Sequence, residues 1–211
     1  MNETLLFDYF RSSASYRVRI ALNLKGVPYT AVPTSLLAGE HKAAEYVARN
    51  PQGLVPMLAI DGHDMMQSLA IIEYLDAKYP EPAFLPTDPA ARAKTMAHAY
   101  IIAADIHPLN NLRVLRYLRD VLGQSQDAVD TWYRHWIVEG FGALEEMAPD
   151  DGLFGGDIPD IADICLVPQM FNARRLETPL EAFPKLVRID AALCEMPAFA
   201  AAHPNMVNPD K

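Results

Sequence analysis

The sequence predicts a protein in two parts, an α/β domain followed by an all-α domain that forms a helical bundle. Over roughly the first 80 residues, apolar runs typical of strands alternate with segments of helical spacing, and beyond them we find no convincing strand. Residues 80–89, PEPAFLPTDP, contain four prolines, which is typical of a boundary between domains. We therefore place the first domain at 1–80, a proline-rich linker at 81–89 and the second domain at 90–211.

The elements of the first domain follow from where apolar residues recur and where turn residues interrupt them. The predicted order is strand 4–10, helix 13–25, strand 28–33, helix 40–50, strands 55–60 and 63–66, and helix 67–79. Gly26 is well placed to end the first helix, and Asp61-Gly62 favours a tight hairpin between the last two strands. A strand–helix–strand crossover makes the first two strands parallel, whereas the hairpin adds an antiparallel edge.

The second domain repeats the helical spacing of apolar residues in four segments, at 90–120, 125–147, 160–174 and 183–194. Helical segments without strands predict a bundle. Asp160 and Asp163 are spaced as the N-cap of a helix and its third residue. We therefore expect a capping box there, with Asp in place of the usual Ser or Thr.

Composition restricts the kind of protein and its partners. A formal net charge of −9 disfavours nucleic acid, whose phosphates favour a basic surface. No apolar run approaches the roughly 18 residues that span a membrane, and the first residues lack the features of a signal peptide. Cys165 and Cys194 form neither a disulfide framework nor a metal-binding spacing, and we expect both to be buried. These features predict a cytoplasmic protein with no membrane or nucleic acid among its partners.

Two serines stand where the first strand gives way to the first helix. The N–H groups at the start of a helix are unpaired and carry partial positive charge, so Ser12 or Ser13 can cap the helix. Either hydroxyl can instead donate to a bound anion or thiolate. Arg11 beside them strengthens the second alternative, and the residues leave both open.

Two further segments of the first domain admit both an ordinary and a binding interpretation. In GLVPML, Pro56 either simply opens a strand or forms a cis turn that leaves the N–H and C=O of Val55 to pair with an extended peptide. In QSLAIIEYL, Ser68 is either a helix N-cap or, together with Gln67, a donor to a carboxylate.

The second domain contains polar residues at unusual helical positions. In DIHPLNN, His107 and Asn110 interrupt an apolar stripe, Asn111 lies beside it, and Pro108 should kink the helix. Such a group either lines a cleft or forms a satisfied buried network. The adjacent arginines at 174–175, near the end of a later helix, suit its dipole, although one of them can turn toward a cleft.

Five segments occur together in one order: FRSSASYRVRIAL, GLVPML, QSLAIIEYLDAKYP, DIHPLNNLRVLRYL and DICLVPQMFNARR. With them the chain resembles the zeta class of the glutathione transferases over nearly its whole length. The resemblance implies a thioredoxin-like first domain, a helical second domain, a cytoplasmic homodimer, and glutathione as the cofactor. It also implies cis-trans isomerisation of a small dicarboxylate substrate, maleylacetoacetate, to fumarylacetoacetate in the breakdown of tyrosine and phenylalanine.

The resemblance also implies roles for particular residues. It places Ser12 and Ser13 at the glutathione sulfur as the catalytic pair, and it implies that Pro56 is cis. Arg11 and Arg175 match positions that hold substrate carboxylates. The positions that match other glutathione contacts, some of them made from the partner subunit, are His41, Val55, Gln67, Ser68, His107, Asn111 and Arg113.

The chain departs from the pattern of the class at Ala14, where a cysteine often follows the two serines. No protein thiol is therefore available there for a mixed disulfide with glutathione, and dehalogenation that needs such a thiol is disfavoured. Isomerisation does not need it, because the glutathione thiolate adds to the cis double bond, the bond rotates and the thiolate leaves. No metal is required.

Three alternatives to maleylacetoacetate isomerisation remain open. Isomerases of maleylpyruvate also lack the cysteine and have histidines at positions like His41 and His107. A transferase that acts on small α-halo acids is the second alternative. The third is a non-catalytic binding protein with the same fold. The intact residues Ser12, Ser13, Gln67 and Ser68 argue against it.

Overall fold

The computed structural model describes residues 3–208, which form two compact units. The first unit consists of residues 3–83 together with 195–208, and the second is Phe84–Cys194. The sequence predicts a second domain that runs from 90 to 211, so the structure differs from that prediction in assigning 195–208 to the first unit. Among the helices of the described residues, none is long and apolar enough to cross a bilayer.

The first unit is built on a mixed sheet whose strands lie in the order β2-β1-β3-β4. The strands are β1 (Leu5–Asp8), β2 (Thr30–Pro33), β3 (Met57–Ile60) and β4 (His63–Met66). β1 is parallel to β2 and antiparallel to β3, and β3 and β4 form the expected hairpin. Asp61 and Gly62, both at positive φ, make the turn. This arrangement confirms the predicted thioredoxin-like topology.

The helices of this unit begin and end close to where the sequence places them. They are α1 (Ser13–Leu24), α2 (Ala44–Arg49) and α3 (Ser68–Lys78). Gly26, at a φ of 62°, follows the end of α1 as expected. The predicted helix over 40–50 is instead a 3₁₀ turn at Glu40–Lys42 followed by α2, because Ala43 between them is extended.

The second unit is helical, as predicted, but its first long helix is interrupted. The segments in order are α4 (Pro89–Tyr100), a π-helical turn (Ile101–Ile106), α5 (His107–Leu109), α6 (Leu112–Arg116), a π-helical turn (Tyr117–Val121), α7 (Gln126–Met147), α8 (Ile161–Arg175) and α9 (Pro184–Cys194). A π turn lies directly before α5, in which Pro108 lacks a backbone N–H, so the irregularity falls where the sequence predicts a kink.

The capping box predicted at the start of α8 is present. Asp160 accepts hydrogen bonds from the N–H groups of Ala162 at 2.7 Å and Asp163 at 3.1 Å, and Asp163 accepts from the N–H of Asp160 at 3.0 Å. Asp163 also accepts from the N–H groups of Phe154 and Gly155, which fixes the preceding loop. Burial raises the pKa of Asp160 to about 7, and the charge of Asp163 adds to the rise.

The C-terminal segment belongs to the first unit because it packs on α1. It contains α10 (Pro197–Ala202) and α11 (Pro204–Val207). Arg19 Nε of α1 donates to the Ala202 carbonyl at 3.0 Å, and Asn23 Nδ2 donates to the Ala198 carbonyl at 2.9 Å. The fully buried Arg19 also forms an ion pair with Asp8 at 2.7 Å, so it joins β1, α1 and α10.

The expectation that both cysteines are buried is half right. Cys165 is buried within α8, whereas Cys194 is exposed. Cys194 is the last residue of α9, and its Sγ lies 3.8 Å from Oδ1 of the buried Asp190.

Candidate functional site

The strand register brings three of the predicted binding segments to one edge of the sheet. Phe7 near the end of β1 pairs with Met57 at the start of β3, and Met57 pairs with Met66 at the end of β4. The residues that follow β1, precede β3 and follow β4 therefore emerge at the same edge. These segments are 11–13, Val55 and 67–68.

Ser12 is the N-cap of α1. Its Oγ accepts from the N–H of Ser15 at 3.2 Å, and its own N–H donates to the Tyr9 carbonyl at 2.7 Å. Ser13 is the first helical residue and is buried, with only 8% of its surface exposed. The capping interpretation is thus confirmed for Ser12. Because a hydroxyl that accepts a hydrogen bond keeps its own hydrogen, the cap leaves Ser12 able to donate to a ligand.

Arg11 lies exposed beside the serines and is held by aromatic side chains. Its Nη2 donates to the Tyr9 hydroxyl at 3.0 Å, and its guanidinium carbon lies 5.3 Å from the centre of the Phe10 ring. These contacts limit the orientations of a side chain that would otherwise be free to move. Ala14, the second residue of α1, is half-exposed and offers no reactive group.

The Val55–Pro56 bond is cis, as the resemblance implies. Among residues 3–208, neither the backbone N–H nor the C=O of Val55 has a hydrogen-bond partner. The preceding carbonyl, that of Leu54, is held by the Tyr46 hydroxyl at 2.6 Å and by Asn50 Nδ2 at 2.7 Å. The segment is therefore fixed while the peptide groups of Val55 are available to pair with an extended ligand.

Gln67 and Ser68 stand at the start of α3. Ser68 is the first helical residue rather than the N-cap, so the simple capping interpretation is wrong. Its buried Oγ accepts from Nη1 of Arg17 at 3.4 Å, and Gln67 Nε2 donates to Gln52 Oε1 at 2.7 Å. The start of α3 thus combines unpaired helix N–H groups with a buried cation, an arrangement that favours a carboxylate.

His41 lies in the 3₁₀ turn before α2 and is buried. Gly53 follows close by, because a Cβ at position 53 would lie 2.9 Å from the His41 carbonyl oxygen. Gly53 also has a φ of 56°, so two separate constraints keep this position small.

In the second unit, His107, Asn111 and Arg113 surround the break between α5 and α6. Asn111 caps α6, since its Oδ1 accepts from the N–H of Arg113 at 3.1 Å, and its amide nitrogen is left for other contacts. Asn110 is buried and donates from Nδ2 to the Tyr133 carbonyl at 3.0 Å. Asn110 therefore holds the break in place, whereas His107 is half-buried and Arg113 is exposed.

The two arginines at the end of α8 have different roles. Arg174 forms an ion pair at 2.6 Å with the buried Asp190 of α9. Arg175 is exposed, and its guanidinium donates to the Tyr133 hydroxyl. Of the two, Arg175 is the side chain available for a ligand.

Three residues at these segments carry no signal in the sequence. Arg17 is buried in α1 next to Val18, and nothing in the helical spacing separates it from a surface arginine. Tyr133 and Arg134 of α7 both contact the end of α8. Arg134 is 42 positions away in the sequence from Leu176, to which it donates. Only the tertiary contacts reveal them.

Comparison with known proteins places the chain among close relatives. The family model for the glutathione S-transferase N-terminal domain matches residues 6–83. Maleylacetoacetate isomerase of Rhizobium meliloti is 50% identical over 99% of both chains.

Two solved structures are similar over almost the whole length of the chain. The holo structure of a maleyl pyruvate isomerase, described as a bacterial glutathione S-transferase of the zeta class, has a TM-score of 0.94 and 42% identity, with 97% of this chain and 99% of that one covered. Maleylacetoacetate isomerase from Anaeromyxobacter dehalogenans, with dicarboxyethyl glutathione and citrate in its active site, has a TM-score of 0.87 and 39% identity, with 99% and 98% covered.

Proposed function

The chain belongs to the zeta class of the glutathione transferases, and we propose that it is a glutathione-dependent cis-trans isomerase that converts maleylacetoacetate to fumarylacetoacetate. One observation carries the proposal: the sheet edge that gathers Ser12, Ser13, Val55, Gln67 and Ser68 offers a separate partner for each part of a γ-glutamyl tripeptide. The names of the relatives supply the reaction.

The glutathione backbone has a natural partner at Val55. The N–H and C=O of Val55 have no partner among the described residues, and an extended peptide can pair with both as an added strand. The glutamyl carboxylate is expected at Gln67 and Ser68, where the N–H groups of α3 and the buried Arg17 favour negative charge. Further glutathione contacts are assigned to His41, His107, Asn111 and Arg113.

Bound glutathione supplies a thiolate that adds reversibly to the cis double bond. The addition leaves a single bond, which can rotate before the thiolate is expelled. Ser12 and Ser13 are expected to stabilise that thiolate, because both hydroxyls stand at the positive end of α1. Ser12 can donate to it while still accepting from Ser15, so capping and catalysis do not compete. Ala14 supplies no thiol, and the proposed reaction uses none from the protein.

The substrate is a dianion, and two arginines are proposed to bind it. Arg11 and Arg175 both expose a planar guanidinium, which can donate two parallel hydrogen bonds to a carboxylate. The citrate and the dicarboxyethyl glutathione in the Anaeromyxobacter relative support a carboxylate-binding site of this kind. We further propose that the enzyme is a cytoplasmic homodimer, as the resemblance to its class implies.

The second candidate function is isomerisation of maleylpyruvate. It is favoured by the maleyl pyruvate isomerase structure, which matches this chain with a TM-score of 0.94. Both substrates have a cis double bond conjugated to a carbonyl and two carboxylates, so the same residues serve either reaction.

The deciding experiment is an isomerisation assay with both substrates, with and without glutathione. We expect turnover that depends strictly on glutathione and a higher kcat/KM for maleylacetoacetate. A higher kcat/KM for maleylpyruvate would establish the second candidate. Glutathione binding without turnover of either substrate would indicate a non-catalytic protein, and turnover without glutathione would contradict the proposal.

A further inference from the structure

Three successive residues of α7 contact both segments of the second unit that bear candidate ligand-binding residues. Trp132 Nε1 donates to the Leu109 carbonyl at 2.9 Å, and the Tyr133 carbonyl accepts from Asn110 Nδ2 at 3.0 Å. These two bonds attach the break between α5 and α6 to α7. The third residue, Arg134, points to the end of α8.

Arg134 fixes the backbone directly after Arg175. Its Nε donates to the carbonyl of Leu176, the C-cap of α8, at 2.8 Å. The last carbonyls of a helix have no partner within the helix, so this bond completes the final turn of α8. The position from which the Arg175 side chain extends is thereby set by α7.

Tyr133 holds the other end of the same side chain. Its hydroxyl is buried, with 5% of the residue exposed, and accepts a hydrogen bond from the Arg175 guanidinium. Burial raises the pKa of Tyr133, and the charge of Arg175 opposes that rise, so the phenol is neutral when it accepts the bond. An exposed arginine has many rotamers, and a bond of this kind reduces the entropy that is lost when a ligand binds.

We propose that Tyr133 and Arg134 are positioning residues for Arg175, which they hold ready to bind a carboxylate of the dianionic substrate. This inference rests on the proposed function, in which Arg175 binds substrate. Neither residue touches the reacting atoms. Their contribution is to the affinity for a negatively charged substrate, because a misplaced guanidinium loses its two parallel hydrogen bonds.

The test compares a dianion with a neutral analogue in two variants. Tyr133→Phe removes only the hydroxyl, and Arg134→Met removes the donor to Leu176 while keeping an unbranched apolar chain. KM is measured for maleylpyruvate and for dimethyl maleate, a neutral cis diester, each with saturating glutathione. We expect KM for the dianion to rise about fivefold, as for the loss of one hydrogen bond, and KM for the diester to stay within about twofold.

Controls separate positioning from general stability. Tyr29→Phe removes a phenol from the first unit and should change neither KM, and Arg134→Lys, which keeps a donor, should recover part of the lost affinity. In an Arg175→Ala background, Tyr133→Phe should have no further effect on KM for the dianion. Thermal unfolding of each variant shows whether it is folded. If Arg134→Met does not fold, Tyr133→Phe alone is enough to test the inference.

Three results would overturn the inference alone. Equal changes in KM for the dianion and the diester would make both residues merely structural, and so would an undiminished effect of Tyr133→Phe without Arg175. Failure of the proposed function gives a different result from failure of this inference alone. The wild type would then isomerise neither dianion, and both proposals would be wrong. Normal wild-type turnover with unchanged variants would contradict this inference alone.

Discussion

At Ser12, one hydroxyl can serve the helix and a ligand at the same time. A lone pair of the oxygen accepts the Ser15 N–H, and the hydroxyl hydrogen remains able to donate to a ligand. From the sequence, capping and anion binding stand as alternatives for this serine. The geometry makes them compatible, because each uses a different part of the same group.

Replacing the serines should therefore change glutathione ionisation. In Ser12→Ala and Ser13→Ala, we expect the pKa of the bound glutathione thiol to rise toward its ordinary value of about 8.5, with the largest rise in the double variant. Ser12→Ala should also lower the melting temperature, since an N-cap is worth about 1 kcal/mol. A spectroscopic pH titration of the bound thiolate measures the first effect. An unchanged thiolate fraction in all three variants would contradict the role given to the serines.

Buried residues mark the limit of what the sequence predicts about the site. Ser12, Ser13 and Pro56 stand next to turn and helix signals, so their local structure can be predicted from their neighbours. Arg17 cannot be recognised in this way, because a buried arginine and a surface arginine have the same helical spacing. Its contact with Ser68 spans 51 positions and depends on how α1 packs against α3.

At the scale of single elements, α8 is held at its start by a pair of buried carboxyl groups. A Ser or Thr cap would give one carboxylate in this box, whereas Asp160 and Asp163 give two. Burial and the second charge raise the pKa of Asp160 from 3.8 to about 7. The folded protein thus holds a proton that the unfolded chain releases near pH 4.

This proton makes stability depend on pH with a definite sign. The stabilisation is fully present below the unfolded pKa and is lost as pH rises through the folded pKa, so the melting temperature should fall between pH 4 and about pH 7 on this account. In Asp160→Ser the melting temperature should fall less over this range. The melting temperature of the variant relative to that of the wild type should therefore be higher at pH 8 than at pH 5. Thermal unfolding of both proteins at these two pH values tests this. A constant difference between them would contradict a raised pKa at Asp160.

Helix boundaries were predictable where caps and glycines fix them and not where the backbone is irregular. The box at Asp160 and the end of α1 near Gly26 depend on nearby residues alone. The π turn at Ile101–Ile106 retains apolar spacing close to that of an α-helix, so the pattern does not separate the two. Pro108 predicts a disturbance near this point, but its form depends on contacts with α7.

At the scale of the whole molecule, Arg19 is the residue that closes the first unit. It bonds to Asp8 of β1, to the Phe10 carbonyl and to the Ala202 carbonyl, and it is fully buried. The sequence predicts the sheet and α1, because their spacing is regular. It does not predict that 195–208 joins them, because that depends on contacts between residues more than 170 positions apart.

Arg19→Met should consequently destabilise the protein far more than a matched change on the surface. Removal of one partner from a buried ion pair leaves Asp8 unpaired and costs about 3–5 kcal/mol. Arg49 pairs with Asp64 at 2.6 Å but is exposed, so Arg49→Met should cost about 1 kcal/mol or less. Urea unfolding of the two variants measures both free energies. Equal losses would mean that Arg19 does not hold the unit together.

The division of the first unit into 3–83 and 195–208 has a consequence for how the protein is made on the ribosome. The second unit, Phe84–Cys194, is continuous, so all of it is translated before the segment that completes the first unit. The surface of α1 that receives α10 therefore stays uncovered until residues 195–208 have been added. During that interval the nascent chain carries an unfinished first unit with an uncovered surface on α1, to which chaperones can bind.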